Sequence, residues 1–299
     1  MNPLYPYIGK EVRCEEVPIA FPVQHQPGQP GLEYLVVPRP LYDNPNYRGS
    51  GKLLNKVAII TGGDSGIGRA VAVAFAKEGA DVAIPYLNEH RDAEETREAI
   101  HNLGRRCLLI PGDLRSKEAC CRAVQMTIDC YGTIDILVNN HGIQFVRNSY
   151  LEISDEQLYN TFNTNIISFF HLTTAALPHM RAGASIVNTA SVTAYVGEET
   201  LIDYSASKGA IVSFTRALAN NVVGQGIRVN AVAPGPIWTP LNPATQPPEA
   251  IRTFGTNVPM KRAGQPYELA PVYVLLASDD GSYITGQTIH VNGGQMVAT

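Results

Sequence analysis

Val57-Ala58-Ile59-Ile60-Thr61-Gly62-Gly63-Asp64-Ser65-Gly66-Ile67-Gly68-Arg69-Ala70-Val71 is the stretch on which the fold turns. Its first five residues are rich in β-branched side chains and apolar on both faces, as a strand buried in a parallel sheet must be. A glycine-rich turn follows at once, and Arg69–Glu78 then has helical periodicity. Glycines at 62, 66 and 68 supply a tight turn, close backbone approach and close helix–strand packing. The N–H groups that open the helix form a site for a pyrophosphate, with Asp64, Ser65 and Ile67 at its rim. The Gly-Lys-Ser/Thr ending of a P-loop is missing, which points away from an ATPase or GTPase.

The same alternation of short apolar runs and helix-length segments continues along the chain. Strands are expected at Val57–Thr61, Asp81–Tyr86, Cys107–Pro111, Ile134–Asn139, Ser185–Thr189, Ile227–Val232 and Thr288–Val291. Seven strands joined by helices read as one doubly wound, Rossmann-type α/β domain over residues 52–299, with a parallel sheet. Ser116 is placed to cap one helix. Ser154-Asp155-Glu156-Gln157 has the capping-box pattern and opens another, which carries Asn165 and ends near Pro178. Pro266 suits a helix's first turn, and Asp203–Val223 reads as a further helix.

Residues 1–51 differ, holding nine prolines that fix φ and remove backbone donors. Two readings stay open: a disordered tail, or an arm laid over the main domain or a neighbouring subunit. Ile19, Phe21, Leu35, Val36 and Val37 supply the apolar residues such an arm needs.

A net charge of −4 gives no basic stripe for nucleic acid, and no apolar run reaches the length of a membrane span. The N-terminal residues lack a signal core, so a cytoplasmic protein is expected. Five cysteines without Cys-x-x-Cys, and histidines without ligand spacing, predict free thiols and no metal.

Tyr204-Ser205-Ala206-Ser207-Lys208 sets a phenol and an ammonium four residues apart on one helix face. A free phenol, with a pKa of about 10, is a poor acid–base group at neutral pH. A neighbouring cation favours the phenolate and lowers that value. Alone, the spacing is that of a solvated helix surface. Ser191 follows the strand Ser185–Thr189 at the sheet's ligand-binding edge, thirteen residues before Tyr204. Asn165 lies in the preceding helix, where it also suits packing.

Asn165, Ser191 and Tyr204-x-x-x-Lys208, in that order and spacing, resemble the catalytic tetrad of the short-chain dehydrogenase/reductase family. So do Thr61-Gly62-x-x-x-Gly66-Ile67-Gly68, Gly112-Asp113-Leu114, Asn139-Asn140-His141-Gly142, Pro234-Gly235-Pro236-Ile237-Trp238-Thr239 and Val291-Asn292-Gly293-Gly294. The resemblance spans residues 54–295. The proline-rich arm is similar to that of a bacterial general-stress and glucose-dehydrogenase-like subgroup. It implies hydride transfer between a nicotinamide cofactor and a carbonyl or alcohol. Tyr204 would be the general acid/base, and Lys208 would bond the nicotinamide ribose and lower the Tyr pKa. Ser191 would position the substrate oxygen, and Asn165 would hold a water in a proton relay. Asp113 with Leu114 would meet the adenine, Asn139 and Gly142 the adenosine region, and Pro234, Gly235, Ile237 and Thr239 the nicotinamide side. It also implies a homotetramer. His141 replaces the family's usual Ala and is either a packing variant or a ligand contact.

The end of the second strand, Tyr86-Leu87, has no carboxylate for an NAD ribose and no Arg for a 2′-phosphate. Asp64 would repel that phosphate, so NAD or NADP is expected, with a lean to NAD. Gln144, Val146, Ala194, Tyr195, Val196, Trp238 and the segment Leu241–Phe254 are the expected substrate walls, for an aldehyde, ketone or secondary alcohol. The competing readings are a catalytically silent cofactor-binding regulator and a relative with different chemistry. The first would be expected to have lost the Tyr, Lys or Ser; enoyl reductases of the family usually place six residues between Tyr and Lys.

Overall fold

The computed structural model describes residues 10–12 and 16–296, with side chains from Val17 onward. Two short strands, β1 (Lys10–Val12) and β2 (Glu16–Pro18), pair antiparallel. The main sheet holds β3 (Val57–Ile60), β4 (Asp81–Tyr86), β5 (Cys107–Pro111), β6 (Ile136–Asn139), β7 (Ser185–Thr189), β8 (Arg228–Pro234) and β9 (Thr288–Val291). Every pairing is parallel and the order is β5-β4-β3-β6-β7-β8-β9. The chain runs outward in both directions from β3 and β6, so a crevice opens at their carboxyl ends, where open α/β sheets bind ligands.

The long helices are α1 (Gly66–Lys77), α2 (His90–Asn102), α3 (Lys117–Tyr131), α4 (Asp155–Phe162), α5 (Ser168–Ala176), α7 (Ile202–Val222) and α10 (Pro266–Ala277). Between them lie the single turns α6 (Thr193–Val196), α8 (Leu241–Thr245) and α9 (Pro248–Ile251). Successive strand side chains point to opposite faces. Thus Ala58, Ile60, Val82 and Ile84 pack under α1 and α10, while Ile59, Ala83 and Leu137 pack under α3, α5 and α7. Both faces are covered, which is why the central strands are apolar throughout.

The local signals act as expected. Ser116 accepts from the Ala119 amide and Ser154 from the Gln157 amide at their helix starts. Gln265 and Glu268 form a capping box ahead of Pro266. The first helix begins at Gly66, three residues before the expected Arg69, because the glycines join the helix. The expected long helix is interrupted by a π-helical segment, Asn163–Ile167, between α4 and α5. Cys14 lies outside the described residues.

Residues 19–51 cross the main body. Phe21 stacks on Trp238 with ring centroids 3.8 Å apart, inside a cluster with Val36, Ile251 and Ala263. The Trp238 indole donates to the Pro38 carbonyl, and the Leu41 amide donates to Gln265. Leu35 and Val37 face outward.

Candidate active site

Strand β3 delivers the chain into a turn held from two sides. The Gly62 amide donates to the Pro85 carbonyl at 2.8 Å, so the proline in β4 lacks a donor yet anchors the turn through its oxygen. Gly68 lies so close to the Gly62 carbonyl that a Cβ would stand 2.0 Å from that oxygen. At the helix start, the Gly66 amide donates to the Glu33 carboxylate from the arm at 2.6 Å. The first amides of a helix have no partner within it, which leaves that of Ile67, on the cleft, for an anion. Glu33 is fully buried and its other oxygen meets Arg69 at 2.7 Å.

A cleft of about 950 Å³ opens along the strand ends. Gly62, Asp64, Ser65, Gly66 and Ile67 line it, with Tyr86 and Leu87 beyond β4 and Asp113 and Leu114 beyond β5. On the other side stand Gly142, Pro234, Gly235, Ile237 and Thr239, together with Ser191, Tyr204 and Lys208. Two expected cofactor residues lie off this wall. Gly68 sits behind the turn as a packing residue. Asn139 points into the sheet, where its amide donates to Asn188 at 2.9 Å, and the next residue, Asn140, faces the cleft instead. The strand's two-residue period decides between them.

Helix α7 carries Tyr204 and Lys208 on one face. The Lys208 ammonium donates to the Thr189 carbonyl at 2.9 Å and lies 5.4 Å from the Tyr204 ring centre. Burial pushes the Tyr204 phenol up to about 12, although a contact with Ser191 pulls it back. Burial also drives Lys208 down to about 7. Desolvation therefore outweighs the lowering that the neighbouring cation was expected to give. The phenol is a proton-bearing group across the neutral range. Ser191 also accepts from the Thr193 amide and hydroxyl, which turns its oxygen with α6.

Asn165 sits in the π segment, a distortion common at functional sites. Its carboxamide accepts from the Ile143 amide at 2.8 Å and donates to the Ile143 carbonyl and to Ser207. Asn165 thus fixes the loop after β6. A Cβ on Gly142 would come within 3.2 Å of the Asn165 carboxamide oxygen and 3.5 Å of the Lys208 nitrogen, so a larger residue here would crowd the Asn165 side chain. Asp203, also buried, accepts from Gln157 and Thr161 and ties the start of α7 to α4.

His141 is held between two hydroxyls. Ser168 gives its own proton to the Thr164 carbonyl, so it accepts from the imidazole at 2.9 Å; the other ring nitrogen meets Thr61 at 2.8 Å. Burial drives this histidine down to about 3, helped by the Lys208 charge. It is a neutral brace between β3 and α5 on the cleft wall.

Several groups suit a dinucleotide. Asp64 is buried on the cleft wall, and its Oδ2 has no hydrogen-bond partner among the described residues. Burial and the nearby Glu89 push its carboxyl up to about 7. The helix amides match a pyrophosphate, and the cleft runs continuously from Tyr86 to Tyr204. The Asp113 carboxylate is engaged by Arg115 and held below its usual range by that bond.

Of the expected substrate walls, Gln144 and Val146 line the cleft. Trp238 does not: it is fully buried beneath Phe21, with its indole N–H spent on Pro38. Tyr195 does not either, since its ring packs edge-on against His290 at 4.5 Å. Among the walls that the sequence did not disclose are Pro27–Gly31 of the arm and Glu198, Thr200 and Leu201 ahead of α7.

A family model described as enoyl-(acyl carrier protein) reductase matches residues 62–296. The chain is 61% identical over 276 residues to the uncharacterized oxidoreductase YhdF of Bacillus subtilis, covering 92% of this chain and 96% of that protein. It is 50% identical to NADPH-dependent aldehyde reductase 1, chloroplastic, of Arabidopsis thaliana, covering 92% and 98%. A solved 3-ketoacyl-(acyl-carrier-protein) reductase from Brucella melitensis, complexed with NADH, superposes with a TM-score of 0.74 at 31% identity, covering 82% and 100%. The chain belongs to the short-chain dehydrogenase/reductase family. It is an NAD(P)-dependent oxidoreductase.

Proposed function

We propose that the enzyme transfers hydride between NAD(P)(H) and the carbonyl or alcohol of a small aldehyde, ketone or secondary alcohol, with Tyr204 as general acid/base. The observation that carries this reading is the meeting of Ser191, Tyr204 and Lys208 on one cleft with the glycine turn. The reduced cofactor supplies the hydride when bound. Ser191 donates to the substrate oxygen and orients it beside the Tyr204 hydroxyl. Tyr204, protonated at neutral pH, gives its proton to that oxygen as negative charge develops there. Lys208 stands over the ring, stabilises the phenolate that results, and would bond the nicotinamide ribose. Asn165 keeps the loop bearing Gly142 against Lys208, and a water bound there would complete a proton relay. In oxidation the same groups act in reverse.

The assay mixes purified protein with NADH or NADPH and a panel of aldehydes and ketones. Tyr204→Phe should cut turnover by at least about 10²-fold, the scale of one lost general acid, with cofactor affinity kept. Normal turnover by this variant would overturn the assignment.

Asp64 and Glu89, two carboxyls at the adenosine end, support a lean to NAD over NADP, because a 2′-phosphate would face them. The NADPH-dependent Arabidopsis relative argues the other way, and a large NADPH preference in kcat/KM would defeat the lean. Tyr159, Ile167 and Phe170, exposed along α4, the π segment and α5, support a homotetramer. A stable monomer in light scattering would remove it. Residues 1–51 are taken as an arm on a catalytic domain of 52–299, working in the cytoplasm on a small molecule rather than a nucleic acid or membrane. Among the described residues, no helix is long and apolar enough to cross a membrane.

A further inference from the structure

Two of the segments expected to wall the substrate, 144–146 and 241–254, are joined by another that comes from far away in sequence. Gln26 closes residues 26–32 into a small loop: its carboxamide donates to the Leu32 carbonyl at 2.9 Å and accepts the Leu32 amide at 2.7 Å. The Gln26 amide is itself fastened to the Pro243 carbonyl in α8 at 2.7 Å. At the loop's tip, Gln29 clasps the backbone of Gln144. Its nitrogen donates to the Gln144 carbonyl at 2.7 Å and its oxygen accepts the Gln144 amide at 3.1 Å. Gly31 is pressed on Pro240 so closely that a Cβ would stand 2.3 Å from that carbonyl oxygen. Gln144 completes the bridge by donating to the Thr245 hydroxyl at 2.9 Å.

We infer that the Pro27–Gly31 loop is a substrate-discriminating wall of the active site, and that Gln29 is the residue that positions it. The inference rests on the proposed carbonyl chemistry at Tyr204. The loop is seated on Gln144, one residue beyond the Ile143 that Asn165 holds, so it closes the cleft beside the catalytic groups. Because both ends of the Gln29 carboxamide are committed to backbone, the wall's position does not depend on a rotatable surface contact. A short carbonyl compound leaves the loop untouched, and a long or fused-ring one meets it. Discrimination by size is thus supplied by the arm, which lies outside the seven-stranded body.

The test uses the full chain and two substitutions, Gln29→Ala and Gln29→Met. Methionine keeps the side-chain length and loses both hydrogen bonds. Circular dichroism and thermal melts establish that each variant is folded. kcat/KM is then measured with propanal and with 2-naphthaldehyde at saturating reduced cofactor, and cofactor affinity by fluorescence titration. Both variants should raise the naphthaldehyde-to-propanal ratio by at least about tenfold, the scale on which a pocket separates ligands differing by a methylene or two. Cofactor affinity should stay within about twofold, since the adenosine end is untouched. An unchanged ratio in a folded variant, or an equal loss with both aldehydes, would overturn the inference. If the wild type reduced neither aldehyde, the proposed chemistry would be what failed. The wall is then read from ligand-observed NMR with 1-propanol and 2-naphthalenemethanol: the variants should gain binding of the larger alcohol, and no gain overturns the wall.

Discussion

Glu33→Ala asks whether the arm holds the glycine turn. One Glu33 oxygen accepts the Gly66 amide at 2.6 Å and the other pairs with Arg69 at 2.7 Å, both fully out of water. Removing one member of a buried pair costs about 3–5 kcal/mol, and an abandoned buried amide about 1–3 more. Two features soften the loss. Arg69 keeps the Asp64 and Asp92 carbonyls at 2.9 and 2.6 Å, and the Asp92 carboxylate lies 3.6 Å away. Desolvation also pushes the Glu33 carboxyl above its ordinary range despite Arg69, so the pair returns less than its bare attraction. A net loss of about 3 kcal/mol is expected in urea unfolding at neutral pH. Glu33→Gln retains an acceptor for Gly66 and should lose only about 1–2 kcal/mol. Since Gly66 opens α1 on the cleft, the alanine variant should also bind NAD(P)H about tenfold more weakly, equivalent to about 1.4 kcal/mol. An alanine variant within about 0.5 kcal/mol of wild type, binding cofactor normally, would refute the reasoning.

Phe21→Ala should destabilise the protein by about 3–4 kcal/mol, as a fully buried ring is lost. Trp238 is the chain's single tryptophan, so its emission should shift to the red as the stacked cover leaves; an unshifted spectrum would place the arm elsewhere. For His141 the sign is fixed by its depressed value. The unfolded ring takes a proton near 6.5 and the native one only near 3. Stability should therefore fall as pH drops through that window, by up to about 1.4 kcal/mol per pH unit. His141→Gln should flatten the slope, and parallel curves for the two proteins would show that the native ring titrates freely.

The strands were legible because each is a local pattern, and their ends fall within two residues of expectation. Strand β8 runs on to Pro234 because β9 pairs with it there, a partner that no local pattern contains. Tyr204 and Lys208 are one helical turn apart, which alone reads as a solvated surface; Ser191 and Asn165, in the family's order and spacing, made them legible as a site. Asn139, given to the adenosine region by the family resemblance, points into the sheet because a strand turns alternate side chains to opposite faces, and Trp238 was misplaced by taking an aromatic near the nicotinamide side for a pocket wall. Nothing local distinguishes Gln29 or Glu33 within the proline-rich stretch. Their roles arise from partners 115 and 33 residues away, and only the folded chain brings those together.

The docking of residues 19–41 on Trp238 and Gln265 also sets an order of events during synthesis. The arm leaves the ribosome first, yet the Pro38 carbonyl waits for an indole 200 residues later and the Leu41 amide for a carboxamide 224 residues later. At 5–20 residues per second that delay is about 10–45 s. Through it Phe21 and Val36 have no core to enter. A proline-rich segment suits such a wait, because an extended chain with few backbone donors is a poor template for strand pairing. The composition that first reads as a lack of structure is then what keeps the arm available until its seat exists.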